Sequence, residues 1–136
     1  MTAVQQGMTI GRLAKAAGVN VETIRYYQRR GLLAEPHKPQ GGHRRYAAAA
    51  VERIAFIRRA QQLGFSLAEV KDLLQHSEGT NHRETRRIAE RKHASLELHI
   101  AQLTRMRKRL KSLIERSVKA AGKGKCPIIG ALLEGD

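Results

Sequence analysis

The stretch SVKAAGKGKCPIIG, residues 117–130, contains Cys126, the only cysteine of the 136-residue chain. One cysteine cannot form an internal disulfide, so this thiol is free to pack, to bind a soft metal ion or to react. Lys119, Lys123 and Lys125 favour the thiolate form and repel a free cation. Three interpretations are open: a metal ligand, a reactive thiol, and a small apolar residue packed ahead of a predicted short C-terminal helix, PIIGALL.

A second group of chemically useful side chains lies in TIGRLAKAAGVNVETIRYYQRRGLL. Apolar residues repeat at helical spacing on both sides of Gly18, which predicts a helix, a tight turn and a second helix, with Thr9 and Asn20 as N-caps. The second helix carries side chains suited to a DNA major groove, where Arg binds guanine edges or phosphate and Thr and Tyr contact phosphate oxygens and thymine methyls. The alternative is a helical hairpin with a solvated basic face. The candidate DNA contacts on this helix are Thr23, Arg25, Tyr26 and Tyr27.

The following segment, GLLAEPHKPQGGHRRY, is rich in turn residues and basic side chains. Its prolines and glycines disfavour a helix, so we predict a two-stranded wing. Beside a DNA-reading helix, such a wing can place Arg44 or Arg45 on a phosphate or in a minor groove. An ordinary solvated loop is the alternative. The polar tip consists of His43, Arg44, Arg45 and Tyr46.

A second helical pair is predicted in AAAAVERIAFIRRAQQLGF and the residues that follow it. Its apolar stripe includes Ile54, Ile57 and Leu63, Gly64 ends the first helix, and Ser66 is the N-cap of the next. We interpret the stripe as core. Arg58 and Arg59 lie outside it and are candidate phosphate contacts, or exposed charges with no specific contact.

The composition indicates a nearly all-helical protein. Aromatic residues make up 4% of the chain and tryptophan is absent, whereas good helix formers dominate. No apolar run approaches the roughly 20 residues that cross a bilayer, so we expect no membrane partner and a cytoplasmic location. The sequence contains no nucleophile with a paired base, no glycine-rich phosphate loop and no H-E-x-x-H or C-x-x-C signature. We therefore expect that the protein is not an enzyme.

The charge is strongly basic throughout. Residues 1–76 carry 12 basic and 5 acidic side chains and residues 77–136 carry 14 and 7, so that each part contributes +7 to the net charge of +14. Such a surplus favours double-stranded nucleic acid as a partner over a surface that is merely soluble.

The C-terminal half predicts a long dimerisation helix. No Gly or Pro occurs from Arg83 to Lys119, and apolar positions alternate in steps of three and four residues. One helix with so narrow a stripe needs a partner, which predicts a homodimer. We interpret His99 as a polar residue within this stripe rather than a ligand. The predicted seam consists of Leu96, His99, Leu103, Met106, Leu110 and Leu113.

Taken with the segment ending HRRY and with RRAQQLGFSLAEVKDLL, the first helical pair closely resembles the MerR family of bacterial transcription regulators, in particular its mercury-resistance branch. The resemblance covers residues 8 to about 134. It implies an all-α fold with a small β wing: a winged helix-turn-helix domain over 8–76, an antiparallel coiled-coil dimerisation helix over 81–120, and an effector loop with a short helix over 121–136. It also implies that a homodimer binds a palindromic promoter spacer and, on binding effector, distorts the DNA so that RNA polymerase can use the promoter.

The resemblance also implies where an effector binds. In mercury-sensing members three cysteines form a metal site, and those positions are His82 of one subunit with Ser117 and Cys126 of the other. A three-thiolate mercury site is therefore impossible, because one thiolate remains and a serine hydroxyl is a poor ligand at neutral pH. A two-coordinate or mixed site for a soft or borderline divalent ion, Hg(II) or another, stays open, with His76 as a spare ligand. The alternatives are a thiol or redox sensor that uses Cys126, and an architectural DNA-binding protein without an effector.

Overall fold

The computed structural model describes residues 7–38, 42–76, 79 and 81–135. Within this part the chain is mainly helical, which confirms the predicted all-α class and the long C-terminal helix. No helix of the described part is long and apolar enough to cross a membrane. The helices are α1 (Ile10–Ala17), α2 (Val21–Arg29), α3 (Ala49–Gln62), α4 (Leu67–Leu74), α5 (His82–Ala120) and α6 (Pro127–Glu134).

The chain divides into two compact units, residues 1–89 and 90–136. The first unit contains α1 to α4 and the first turns of α5, and its core includes Ile88 of α5. The second unit contains the rest of α5 and α6. The predicted domain boundaries at 76 and 120 remain predictions.

Local capping explains how α1 and α2 form a helix-turn-helix. The Thr9 side chain accepts a hydrogen bond from the Arg12 N–H, and Asn20 Oδ1 accepts from the Thr23 N–H at 2.8 Å. Between the helices Gly18 adopts φ 70°, a left-handed conformation that is strained for residues with a Cβ. Leu13 of α1 and Ile24 of α2 are fully buried, so the hydrophobic core fixes the position of α2.

The helices α3 and α4 complete the core of the first unit. Ser66 and Glu69 form a reciprocal capping box at the start of α4, and Ile54, Ile57 and Val70 are fully buried. The prediction that Leu63 belongs to the buried stripe is wrong. Leu63 is 68% exposed because it is the C-cap, where the chain leaves the helical path.

Residues 33–47, which we call the wing segment, contain no β-strand in their described part. The predicted two-stranded wing has no assigned strand in that part, and its tip, residues 39–41, lies outside the described residues. An isolated antiparallel bridge instead joins Tyr46 to Met8, with two backbone hydrogen bonds of 2.8 Å. The backbone N–H and C=O of Tyr46 are thus both paired with the chain ahead of α1.

In the second unit, α6 follows a loop at residues 121–126, after α5 ends. Leu113 of α5 and Ala131 of α6 are buried within this unit, at 4% and 8% exposure. Other apolar side chains of α6 are exposed: Ile129, Leu132 and Leu133.

Candidate nucleic-acid interface and effector residues

The outer side of α2 presents a basic, aromatic surface. Arg25 is exposed and makes no hydrogen bond or ion pair with any described residue. Tyr26 is 41% exposed, and the guanidinium groups of Arg29 and Arg30 lie 5.8 and 5.9 Å from its ring centroid. Thr23 is half-buried and its hydroxyl donates to Asn20 Oδ1 at 2.9 Å, so it is partly used in capping. This surface can offer a cation and a phenol to DNA.

The structure corrects two of the predicted DNA contacts. Tyr27 is 4% exposed and its hydroxyl donates to Gln61 Oε1 at 2.9 Å. Tyr46 is 2% exposed and its hydroxyl accepts from Gln28 Nε2 at 2.7 Å. Both rings belong to the core, and burial raises the pKa of Tyr27, an effect that the nearby Arg58 opposes. Their role is to tie α2 to α3 and to the wing segment.

A cleft separates α2 from the wing segment. Inside it Arg44 donates from Nε to the Pro36 carbonyl at 3.1 Å and lies 3.5 Å from a Glu35 carboxylate oxygen. Arg45 is exposed and has no polar partner among the described residues. The two neighbouring arginines therefore differ: one is engaged within the segment, and the other is available. The cleft is lined by Thr9, Ile10, Arg25, Gln28, Glu35, Lys38, His43, Arg44 and Tyr46.

Two arginines of α3 hold the turns on either side of α2. Arg58 donates to the carbonyls of Ala17 and Gly18 at 3.3 and 3.4 Å, at the helix-turn-helix turn. Arg53 donates from Nε to the Leu32 carbonyl at 2.9 Å, where the chain leaves α2. No local sequence pattern indicates these contacts, since they join residues 21 to 41 positions apart. Arg59, in contrast, is exposed without a polar partner in the described part.

The predicted seam on α5 is mostly open to solvent. Leu103, Met106 and Leu110 are about half exposed and, with Ile114, line an apolar groove. Leu96 and His99 are also exposed. The prediction that Leu113 is left open for a partner is corrected, because it is already covered within its own chain. Sequence reasoning omitted Ile114, which extends the exposed stripe.

Of the three candidate effector residues, the structure brings together two. The Ser117 hydroxyl lies 3.9 Å from the Cys126 sulfur, and Cys126 is exposed at the N-cap of α6. His82 begins α5 in the first unit and is exposed. Among the described residues, no group of three His, Cys, Asp or Glu side chains of one chain could hold a metal ion.

The thiol of Cys126 is electrostatically tuned. Its side chain makes no capping hydrogen bond, but the backbone N–H groups of Ile129 and Ile128, and to a lesser degree the Ser117 hydroxyl, lower the pKa of the thiol. The pKa of the thiol is lowered, as predicted, but through backbone hydrogen bonds rather than through the neighbouring lysines. The lysines are not the source, and Lys125 lies 3.9 Å from a Glu134 carboxylate oxygen.

Comparison with known proteins identifies the family. Residues 8–77 match the family described as MerR HTH family regulatory protein, and residues 51–113 match the one described as MerR, DNA binding. The chain belongs to the MerR family. The MerR resemblance of the sequence is thereby confirmed.

Relatives within the MerR family cover nearly the whole chain. It is 47% identical over 130 residues to a mercuric resistance operon regulatory protein of Pseudomonas fluorescens, covering 96% of this chain and 90% of the relative. A lead(II)-bound transcription regulator of Ralstonia metallidurans CH34 has a TM-score of 0.79 at 30% identity, covering 92% of this chain and 98% of the other. A mercury(II)-bound MerR regulator of Bacillus megaterium MB1 has a TM-score of 0.66 at 35% identity, covering 93% and 99%.

Proposed function

We propose that the chain is a homodimeric regulator of a metal- or stress-resistance operon that reads a palindromic promoter spacer through α2 and the wing segment. One observation carries this proposal. Arg25 and Arg45 are exposed and lack polar partners within the described residues; Arg25 lines the cleft between α2 and the wing segment, and Arg45 lies on the wing segment outside that cleft. Unpaired guanidinium groups on adjoining elements fit phosphate and base edges.

In this proposal the dimer pairs through the open apolar stripe of α5 in antiparallel orientation and acts on the promoter that RNA polymerase uses. Distortion of the operator on effector binding follows the mechanism that membership of the MerR family suggests. An architectural DNA-binding protein without an effector is the competing function.

Selection of binding sites from random-sequence duplexes separates these two functions. A regulator is expected to enrich one inverted repeat and to protect it in a footprint. An architectural protein would enrich no repeat and would bind bulk DNA equally well. Arg25→Ala is expected to abolish the enrichment, whereas the control Arg87→Ala, at the start of α5, is expected to retain it.

For the effector, we propose that Cys126 is the responding residue. The relatives compared above are named for mercury or lead, but the donors present here do not fit a three-thiolate centre. One thiol is available per chain, and its neighbour Ser117 offers a hydroxyl that binds soft ions poorly. A soft ion could be held by Cys126 in two-coordinate form or together with His82 of the partner.

A thiol sensor is the second candidate for the effector response. The exposure of Cys126 and its lowered pKa favour this candidate, because the thiolate is the nucleophilic form. Since the pKa lies below its ordinary value, the thiolate persists to lower pH than in an unfolded chain. Alkylation by iodoacetamide should therefore be half-maximal at lower pH in the native protein than in the same protein unfolded in urea.

The first experiment is a competitive titration of the reduced dimer with Hg(II), Pb(II), Cd(II), Zn(II) and Cu(I) against a thiol buffer. Tight binding that is lost in Cys126→Ser would support a metal effector, and further loss in His82→Ala would support the shared ligand. If no ion competes with the buffer but alkylation or oxidation of Cys126 changes operator affinity, the thiol sensor stands. If Cys126→Ser kept both the tight metal binding and the change in operator affinity on thiol modification, both effector candidates would be contradicted.

A further inference from the structure

The second unit carries a charge that the proposed reading of DNA by the first unit does not use. Residues 90–136 contain eleven Lys and Arg against five Asp and Glu, a net charge of +6, compared with fifteen against seven, or +8, in residues 1–89. A dimerisation unit gains nothing from such a surplus, because two like-charged units repel each other when they associate. The charge therefore calls for another explanation.

Much of this charge is concentrated on one face of α5. No acidic residue occurs from 98 to 114, whereas five of the seven residues from Arg105 to Lys111 are basic. Side chains 3, 4, 7, 11 and 14 positions apart share a helix face, so a basic stripe starts at Arg105. All its members are exposed. The outer stripe consists of Arg105, Lys108, Arg109, Ser112, Arg116 and Lys119.

The outer stripe is separate from the apolar groove of α5. Leu103, Met106, Leu110 and Ile114 line that groove, and none of them shares the positions of the outer stripe. Pairing of two copies through the groove would thus leave the outer stripe facing away from the helix–helix contact. The outer stripe also contains no aromatic or large apolar side chain, which protein interfaces usually bury at their centre.

We propose that the outer stripe of α5 is a second, sequence-independent contact for duplex DNA, made through phosphates. From Arg105 to Lys119 it extends about 21 Å at the helical rise per residue. A duplex carries one charge per about 1.7 Å of axis, so this length lies alongside about a dozen phosphates. Arginine fits phosphate oxygens in bidentate geometry, and lysine adds a point charge. The contact goes beyond the reading of an operator by α2 and the wing segment.

The contact can be measured from the salt dependence of binding to a duplex without an operator. The test variant is Arg105→Gln/Lys108→Gln in the whole chain. Its matched control is Lys123→Gln/Lys125→Gln, which removes the same charge from exposed positions of the same unit, in the loop after α5. Each lost phosphate contact lowers the slope of log affinity against log salt by about 0.9. We expect the test variant to lose about 1.8 from this slope and, relative to 1 M salt, about 60-fold in affinity near 0.1 M salt, and the control to change little.

Two results of that comparison would overturn the proposal. An equal loss in both variants would mean that net charge alone attracts DNA, and an unchanged slope in both would mean that the outer stripe does not contact DNA. Sedimentation of each variant checks that the dimer persists. If the test variant does not dimerise, the contact is tested by a measurement on the unaltered protein instead.

That second measurement is protection of lysines from acetylation by a 30-base-pair duplex, read by mass spectrometry. Lys108 and Lys119 should be protected several-fold when DNA is present, and Lys123 should not. Protection of Lys15, in α1 of the helix-turn-helix, without protection of Lys108, would leave the DNA reading of the first unit intact while excluding the second contact. Protection of neither Lys15 nor Lys108 would count against DNA contacts by both units.

Discussion

Arg44 and Arg45 are adjacent in sequence, yet their guanidinium groups have different surroundings. Arg44 bonds to the Pro36 carbonyl and to Glu35, and so helps hold the wing segment in place. Arg45 is exposed and has no polar partner in the described part. The sequence alone left both as equal candidates for a phosphate.

This difference predicts distinct effects of two substitutions on DNA binding. Arg45→Ala should lower the slope of log affinity against log salt by about one phosphate, or about 0.9. Arg44→Ala should leave that slope unchanged while weakening specific binding, since the wing segment loses its internal bond. Filter binding at four salt concentrations checks both, and equal slopes for the two variants would contradict the assignment.

The tyrosines show how far residue-level prediction reaches. Helical spacing from Val21 and Ile24 already places Tyr27 on the apolar side of α2, so its burial was accessible from the sequence. The burial of Tyr46 was not, because it depends on a bridge to Met8, 38 residues earlier. Contacts over such distances leave no local pattern.

At the scale of elements, local sequence chemistry predicted the helix ends and the turn correctly. The N-caps Thr9, Asn20 and Ser66 and the turn at Gly18 act as their residue types predict, because capping depends on neighbours three residues away. The pairing of the wing segment with Met8 was not predicted, because such pairing depends on which distant backbone groups are available. For α5, the extent of the helix was predictable but the covering of Leu113 by its own chain was not.

The open stripe of α5 leads to a prediction about dimerisation. Leu103→Glu should yield monomers, because a carboxylate would be placed in the apolar groove without a partner. Leu98→Glu is the matched control, since Leu98 lies off the stripe and is 74% exposed. Sedimentation equilibrium should give a monomer for the first variant and a dimer for the second. A dimer in both would exclude this seam.

At the scale of the whole molecule, both units are basic, and this affects assembly as well as DNA binding. Two second units of net charge +6 must approach each other in the proposed dimer. Salt screens such repulsion over about 10 Å at 0.1 M. Polyanions and salt should therefore stabilise the dimer rather than weaken it.

The corresponding measurement is the dimer dissociation constant in about 0.05 M and about 0.5 M salt, where screening differs strongly. We expect tighter association at the higher concentration. The Arg105→Gln/Lys108→Gln variant should show a smaller dependence, because less charge needs screening. Weaker association at high salt would instead mean that ion pairs between subunits outweigh the repulsion.

The proximity of Ser117 to Cys126 within one chain affects the stage of assembly at which Cys126 can react with an effector. Both side chains of the pair belong to one chain, so this contact uses no group from a partner. If the thiol is the sensor, a newly made subunit can be modified while it is still a monomer. A dimer formed later then combines two chains that were modified, or not, independently of each other. A site that needs His82 of the partner, in contrast, has no history before assembly. Newly made and older dimers in one cell would then respond to the effector alike only if the site needs His82 of the partner.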